Sequence, residues 1–236
     1  MRILAIDTSC GAASVAVVES GRAEPLAVIS RPMARGHADA LAPMVEEAMR
    51  GIEGGFPSLA RIAVAMGPGS FTGIRVGLAM ARAMGVALAI PVVGVSTLAA
   101  FAAPLLSVPR TGIIASTIDA RHGSVYFQLF EASGRPLGPP RCDTPRECVR
   151  AIGAGPAWFA GDAAALVASE AQRAGLPYDL DVARVAPDIV ALARMGLAVD
   201  PSKSPARPVY VKPPDARPNA AEPIARAAGL GLEPNP

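Results

Sequence analysis

The sequence predicts an α/β protein built from two similar lobes, and three observations lead to this prediction. Hydrophobic residues make up 51% of the 236 residues while aromatic residues make up only 4%, a balance that indicates aliphatic layers of sheet and helix. A glycine-rich turn near residue 70 joins a short apolar run to a longer one, as in a strand, a turn and a helix. Two hairpin-like segments of related sequence begin the two halves of the chain.

The first half of the chain alternates between strand and helix patterns. Apolar runs bounded by glycine or polar residues predict strands, and apolar residues spaced three and four apart predict helices. Ser70 or Thr72 can cap the first free N–H groups of the longest helix. The predicted elements are strands over residues 2–6, 14–18, 26–30, 61–65 and 91–95, helices over 36–49 and about 71–89, and a helical turn from Ser96 to Pro104.

The second half of the chain resembles the first half in its order of elements. We predict strands over residues 112–119, 124–130 and 157–160, helices beginning at Pro145 and Asp162, a helix over about 187–199, and a closing segment over 208–212. Beyond Pro213 the chain contains mainly proline, alanine and glycine with few large apolar residues. This composition predicts a flexible tail over residues 213–236.

An internal duplication is the simplest explanation of the two hairpin-like segments. Residues 6–15 read IDTSCGAASV and residues 118–125 read IDARHGSV, so the second loop is two residues shorter. The duplication predicts two lobes of βββαβα type, over residues 1–106 and 107–212. A chance similarity between two hairpins is the alternative.

The composition narrows the class of protein. The formal net charge is only +2 and the basic residues are scattered, which excludes the dense basic surface typical of proteins that hold nucleic acid unaided. The three cysteines lack C-x-x-C spacing, which favours reduced thiols in a cytoplasmic protein. The N-terminal apolar run is too short for a signal peptide. Because Arg82 and Pro91 interrupt the longest apolar stretch, we interpret it as a buried helix and strand and not as a membrane span.

The predicted helix over residues 71–89 carries a row of small residues. Gly73, Gly77, Ala81, Gly85 and Ala89 lie four apart, so another backbone can approach this row closely. Each glycine costs about 1 kcal/mol relative to alanine inside a helix, which indicates that a contact offsets the loss. The covering surface is either a partner or the chain itself. The turn before the helix lacks the lysine of a P-loop, although its backbone N–H groups are able to hold an anion.

Several motifs resemble the bacterial TsaB (YeaZ) family. The segments that carry the resemblance are GPGSFTGIRVG at residues 67–77, IDARHGSVY at 118–126 and PVY at 208–210. IDTS at residues 6–9, and His37 followed by LAPM at 41–44, fit the same pattern. The resemblance covers roughly residues 1–212 and implies an actin-like, Hsp70-like (ASKHA) fold of two lobes.

The resemblance also implies a role and a set of partners. Members of this family serve as the partner subunit of the TsaD transferase, with the ATPase TsaE as a third component, in making threonylcarbamoyladenosine in tRNA. The tRNA is then contacted only through the complex, no membrane is involved, and a homodimer forms without the transferase. The implied interface residues are His37, Leu41, Met44, Phe71, Thr72, Gly73, Arg75, Val76, Gly77, Met80, Ala81 and Met84.

The chain lacks the metal ligands of the related transferase. The two histidines that hold the transferase's metal correspond to Thr97 and Phe101, and His37 and His122 are the only histidines in the sequence. A histidine pair with ligand spacing is therefore missing. We predict no metal site, no catalytic residues and an accessory subunit. An actin-like ATPase or a glycopeptidase-like enzyme is the alternative function.

A nucleotide site is a further hypothesis for the first turn. Asp7 and Thr8 occupy the place where actin-like folds hold phosphate and Mg²⁺, and Asp119 is the counterpart in the second lobe. These carboxylates are able to bind a metal–nucleotide such as ATP, or to accept hydrogen bonds within their own turns. We favour the turn role and predict that no cofactor is required.

Overall fold

The computed structural model describes residues 1–181 and 184–212. The tail predicted over residues 213–236 lies outside the described residues. The first half contains β1 (Arg2–Asp7), β2 (Ala12–Glu19), β3 (Ala27–Pro32), α1 (His37–Met49), β4 (Leu59–Ala65), α2 (Phe71–Leu88), β5 (Val92–Val95) and α3 (Thr97–Ala102). The second half contains β6 (Ile113–Asp119), β7 (Val125–Glu131), β8 (Arg141–Asp143), α4 (Pro145–Ile152), β9 (Ala157–Ala160), α5 (Ala164–Arg173), β10 (Tyr178–Leu180) and α6 (Ile189–Ala198).

The two halves form two five-stranded sheets of equivalent topology. The first sheet has the order β3-β2-β1-β4-β5 and the second has the order β10-β9-β6-β7-β8, which is the same order viewed from the other edge. In each sheet the first three strands are antiparallel, and the last two run parallel to the central strand. The prediction of two lobes of the same type is therefore confirmed.

Each sheet has helices on both faces. On one face of the first sheet α1 and α2 pack against apolar side chains of β1, β2 and β4. On the matching face of the second sheet α4 and α5 pack against β6, β7 and β9. The cap predicted at Ser70 is present, because Ser70 Oγ accepts a hydrogen bond from Gly73 N, and at the start of α3 Ser96 Oγ accepts one from Ala99 N.

The helices on the remaining faces are exchanged between the halves. α3 packs Leu98 and Phe101 against the second sheet, whereas α6 packs Ile189 and Leu192 against the first sheet. The predicted boundary at residue 106 therefore does not separate two packing units, because α6 covers the lobe to which it does not belong in sequence.

The end of α6 and the segment after it are held to the first lobe. The Arg61 guanidinium on β4 donates hydrogen bonds from Nη1 to the carbonyls of Gly196 and Val199, at 2.7 and 2.9 Å, which satisfies carbonyls that the helix end leaves free. Further along, Val209 N donates to Met66 O at 2.8 Å. Arg82 on α2 donates a hydrogen bond from Nε to the carbonyl of Ala206 at 3.1 Å, which places this segment beside α2.

Candidate partner interface

The predicted row of small residues on α2 faces the protein's own sheet. A Cβ atom built at Gly73 would lie 1.9 Å from the carbonyl oxygen of Thr8, and one at Gly77 would lie 2.7 Å from Thr8 Oγ1. Ala81 is also fully buried. The prediction that Gly73, Gly77 and Ala81 contact a partner is therefore wrong, because β1 and its turn already occupy the close-approach surface.

Two predicted interface residues of α1 are also part of the core. Leu41 and Met44 are 1% and 0% exposed and pack in the apolar cluster beneath α1 and α2. Their assignment to a partner contact is wrong because no partner reaches a side chain that the lobe encloses. His37 is half-buried, and its Nε2 lies 3.3 Å from the carbonyl oxygen of Cys10. His37 also lines the cleft between the lobes.

The opposite side of α2 is uncovered and largely apolar. Phe71 and Val86 are 38% and 84% exposed. We define the outer face of α2 as the exposed residues Phe71, Thr72, Arg75, Ala79, Arg82, Ala83, Val86 and Ala87, with the half-buried residues Val76, Met80 and Met84 along its border. The predicted residues Phe71, Thr72, Arg75, Val76, Met80 and Met84 all belong to this face, and its surface alanines, Arg82 and Val86 were missed.

The outer face has its own row of small residues. Ala79, Ala83 and Ala87 are exposed and lie four apart, continuing a row that begins with Phe71 and Arg75. Side chains this short let another helix approach closely along an i±4 row. This spacing is present in the sequence and could have identified the exposed row. It was missed because the row of glycines on the same helix was interpreted as the contact surface.

The equivalent helix of the second lobe has a different surface. The exposed side of α5 carries Ser169, Gln172 and Arg173 beside Ala165 and Leu166. Arg173 pairs with Glu170 on the same helix. Since the two lobes share one topology, this difference shows that the exposed side of α2 is more apolar than that of its equivalent helix.

An arginine that stacks on one aromatic ring and donates a hydrogen bond to the hydroxyl of a second aromatic residue marks the N-terminal end of the outer face. The Arg75 guanidinium carbon lies 3.7 Å from the centre of the Phe71 ring, and Arg75 Nε donates a hydrogen bond to the Tyr210 hydroxyl at 3.1 Å. The Phe71 and Tyr210 rings are 5.1 Å apart, centre to centre. The segment after α6 thus helps to build this surface, which the sequence did not predict.

Asp7 and Thr8 are enclosed in the first turn. Asp7 Oδ1 accepts hydrogen bonds from Ser9 N at 2.9 Å and from Ser9 Oγ at 2.6 Å. Thr8 Oγ1 donates to Gly73 O at 2.6 Å. Both residues are at most 1% exposed, and burial raises the pKa of Asp7 against the opposing effect of the Ser9 hydrogen bonds. The hydrogen bonds match the turn role, and both side chains are enclosed by the first lobe.

The cleft between the lobes has a volume of about 560 Å³. Cys10 and His37 line it from the first lobe, and Asp119, Tyr126 and Asp162 line it from the second. Asp119 N donates a hydrogen bond to Asp162 Oδ1 at 2.8 Å, and burial raises the pKa of Asp162. Neither Asp7 nor Thr8 is among the lining residues, although the sequence placed both with Asp119 at one site.

Thr97 and Phe101, which the family resemblance aligns with the metal ligands of the transferase, are buried. Thr97 is 0% exposed and donates from Oγ1 to Ser9 Oγ at 3.2 Å, and Phe101 is 1% exposed in the core beside the second sheet. Among residues 1–181 and 184–212, no group of three His, Cys, Asp or Glu side chains is arranged to hold a metal ion.

By length and composition alone, α2 is long and apolar enough to cross a membrane, and it is the only such helix in the described ranges. One third of α2 is buried inside the protein. Helices in the cores of water-soluble proteins meet the same criterion, so length and composition do not distinguish α2 from such a helix.

Two sheets of matching strand order, with helices exchanged between them, define a two-lobe α/β protein of the actin-like (ASKHA) class. A family model described as TsaD, tRNA N6-adenosine threonylcarbamoyltransferase, matches residues 26–169. The chain belongs to the TsaB (YeaZ) family of proteins, which are related to that transferase.

The individual relatives support this assignment. The chain is 33% identical to the tRNA threonylcarbamoyladenosine biosynthesis protein TsaB of Escherichia coli (strain K12) over 131 residues, which are 56% of this chain and 55% of the relative. It is 32% identical to TsaB of Haemophilus influenzae over 127 residues, 54% of this chain and 52% of the relative. The chain thus spans about half the length of the curated relatives it matches. The structure of YeaZ from Pseudomonas aeruginosa superposes with a TM-score of 0.71 at 29% identity, covering 89% of this chain and 99% of that one.

Proposed function

We propose that this protein is the non-catalytic partner subunit that binds and activates a TsaD-type transferase in the threonylcarbamoyladenosine modification of tRNA. The ATPase TsaE is the third component, and tRNA is contacted only through the complex. The family assignment supports the pathway, since the relatives bear the names of threonylcarbamoyladenosine biosynthesis proteins. We propose that the protein acts in the cytoplasm and that no membrane takes part in this role.

The observation that carries the proposal is the outer face of α2. A contiguous apolar surface that includes an 84% exposed valine, Val86, is typical of an interaction site. Its alanine row lets a second helix lie close, and the border methionines Met80 and Met84 adapt easily to an apposed surface. In the absence of the transferase, we propose that a second copy of the chain covers the same face.

A protein fits this face better than a lipid bilayer does. The opposite side of α2 is fixed to the first sheet through glycines that leave no room for a Cβ atom, so lipid cannot surround the helix. Arg75 and Arg82 are exposed on the outer face itself, and charged groups are expensive in hydrocarbon.

Two features support an accessory role over a catalytic one. Thr97 and Phe101 are buried where the transferase has its metal ligands, and their side chains do not form a divalent-metal site. Asp7 and Thr8 hydrogen-bond within the first lobe. We propose that the subunit requires no cofactor of its own, and a calorimetric titration with Mg²⁺–ATP tests this point.

The central test is Ala83→Arg on the outer face. Ala83 is exposed and arginine is a good helix former, so the free protein should keep its fold. We expect the variant to lose at least tenfold in affinity for the transferase of the same organism, measured by calorimetry, because the long side chain holds the partner helix away. It should also weaken self-association in analytical ultracentrifugation.

The second lobe provides a matched control. Ala165→Arg places the same side chain at an exposed position of α5 and should bind the transferase like the wild type. A reconstituted tRNA modification assay, with each component omitted in turn, should lose activity without this chain or with Ala83→Arg. Equal binding by both variants would contradict the proposed interface.

A further inference from the structure

We propose that the transferase presents an aspartate or glutamate to Arg75, so that the interface is anchored by one ion pair at the N-terminal end of an otherwise apolar contact. The proposal rests on the function proposed above and adds the chemistry of the partner. It follows from the surroundings of Arg75, from its position on the outer face and from the charge of the helix end.

Within residues 1–181 and 184–212, Arg75 is held in place without a counter-ion. Stacking on Phe71 and the hydrogen bond from Nε to the Tyr210 hydroxyl fix the plane of the guanidinium. In the described part of the chain, no carboxylate lies within 4.0 Å of it, and neither terminal nitrogen makes a hydrogen bond. A fixed guanidinium fork offers two parallel N–H donors, which is the geometry that a carboxylate accepts.

The position of Arg75 makes a partner carboxylate necessary. Arg75 lies in the same row as Ala79 and Ala83, so a helix seated on those alanines covers the guanidinium as well. A charge removed from water without a counter-ion is strongly destabilising, whereas a hydrogen-bonded pair is tolerated. An interface that uses this row therefore needs an acidic group opposite Arg75.

The N-terminal end of α2 also favours a negatively charged group of the partner at this position. α2 has no acidic residue in its first turn, although the N-terminus of a helix attracts negative groups. A carboxylate brought by the partner would meet both the guanidinium and the positive end of α2. Arginine and tyrosine are also, with tryptophan, enriched among the residues that dominate binding energy at interfaces.

The test compares three variants of the full chain in calorimetric titrations with the transferase. Arg75→Gln removes the charge and should weaken binding at least tenfold, Arg75→Glu should weaken it further, and Tyr210→Phe, which keeps the charge, should change it less than threefold. Arg146→Gln on α4 is the control, because Arg146 is an exposed helix arginine of the second lobe. Thermal unfolding should show that every variant is folded.

Salt dependence separates an ion pair from a structural role. Wild-type affinity should fall as salt rises from 50 to 500 mM, and Arg75→Gln should show a clearly flatter dependence. A change of one transferase carboxylate to arginine should restore binding to Arg75→Glu but not to the wild type.

Two results would overturn the proposal while leaving the proposed function intact. In the first, Arg75→Gln and Arg75→Glu bind the transferase as tightly as the wild type, although Ala83→Arg does not. In the second, the Arg75 variants weaken only self-association, which would assign the carboxylate to a second copy of this chain. If Ala83→Arg also binds normally, the proposed interface itself fails.

Discussion

At the scale of single residues, Asp7 shows how a motif that suggests a ligand serves the fold instead. Its Oδ1 accepts two hydrogen bonds from Ser9, while Oδ2 is buried and has no hydrogen-bond partner among the described residues. Burial disfavours the ionised carboxylate and raises the pKa of Asp7. The Ser9 donors offset part of this cost. The turn is thus held by a group whose charge opposes folding.

We predict that Asp7→Asn changes how stability depends on pH. Because the folded-state pKa is raised, the unfolded chain releases the Asp7 proton at a lower pH than the folded chain does. The contribution of Asp7 to the stability of the wild type should therefore decrease as pH rises from about 4, the ordinary pKa of aspartate, through the folded-state value. Asparagine has no proton to lose there. Urea unfolding at pH 4 and pH 7 should show the difference in unfolding free energy, variant minus wild type, increasing with pH.

The result also distinguishes the two roles considered for Asp7. A difference that stays constant between pH 4 and pH 7 would contradict the structural role, because it would mean that folding does not perturb the carboxyl group. Calorimetric binding of Mg²⁺–ATP to the wild type, abolished in Asp7→Asn, would instead support the nucleotide site.

At the scale of secondary-structure elements, α2 shows what a local pattern decides and what it leaves open. The bounds, the Ser70 cap and the small-residue spacing were all predicted from the sequence. The sequence did not predict which side of α2 packs on the sheet. α2 has two rows of small residues on opposite sides, and spacing alone does not say which row contacts the sheet. The residue type distinguishes the two rows, because glycine occupies the row without room for a Cβ atom and alanine occupies the exposed row.

This assignment predicts opposite outcomes for one substitution at two positions of α2. Gly77→Leu should lower the unfolding free energy by about 2 kcal/mol or more, since over-packing a close contact typically costs about 1–3 kcal/mol and a Cβ at Gly77 would lie 2.7 Å from Thr8 Oγ1. Ala83→Leu should change it by less than about 0.5 kcal/mol. Urea unfolding of both variants measures the effect. Similar small changes at both positions would contradict the assignment of the glycine row to the sheet.

The elements that the sequence did not predict, β8 and β10, were missed for the same reason. β8 and β10 contain three residues each, which is too short for an alternating pattern to appear. Both become strands because a neighbouring strand supplies their hydrogen-bond partners, β7 for β8 and β9 for β10. Tyr210 was likewise placed at the outer face by the path of the chain after α6, which depends on contacts with residues more than 130 positions away.

At the scale of the whole molecule, the exchange of α3 and α6 joins the lobes into one unit. The sequence predicted both helices and the duplication, but it did not predict which sheet each helix covers, because an apolar helix face fits either of two similar sheets. α6 covers Ile3, Ala5 and Val93 of the first sheet, and Arg61 holds its C-terminal carbonyls. The first lobe therefore depends on residues from the last part of the chain.

We predict that a fragment of residues 1–106 does not fold by itself. Without α6, the face of the first sheet that α6 covers is exposed to water, and an open apolar face of this kind leads to association or unfolding. The fragment also lacks residues 204–212, which bond to β5 and to Met66. Circular dichroism should show no cooperative thermal transition for the fragment, in contrast to a single sharp one for the full chain.

Supplying the second half of the chain should restore folding of the fragment of residues 1–106. Co-expression of residues 1–106 with residues 107–236 should give a complex that purifies together and unfolds cooperatively, because α3 and α6 then cover each other's sheets. A fragment of residues 1–106 that is monomeric and unfolds cooperatively alone would show that the first lobe has a sufficient core of its own. In that case α6 would only dock onto a preformed sheet, and the boundary at residue 106 would be a true domain boundary.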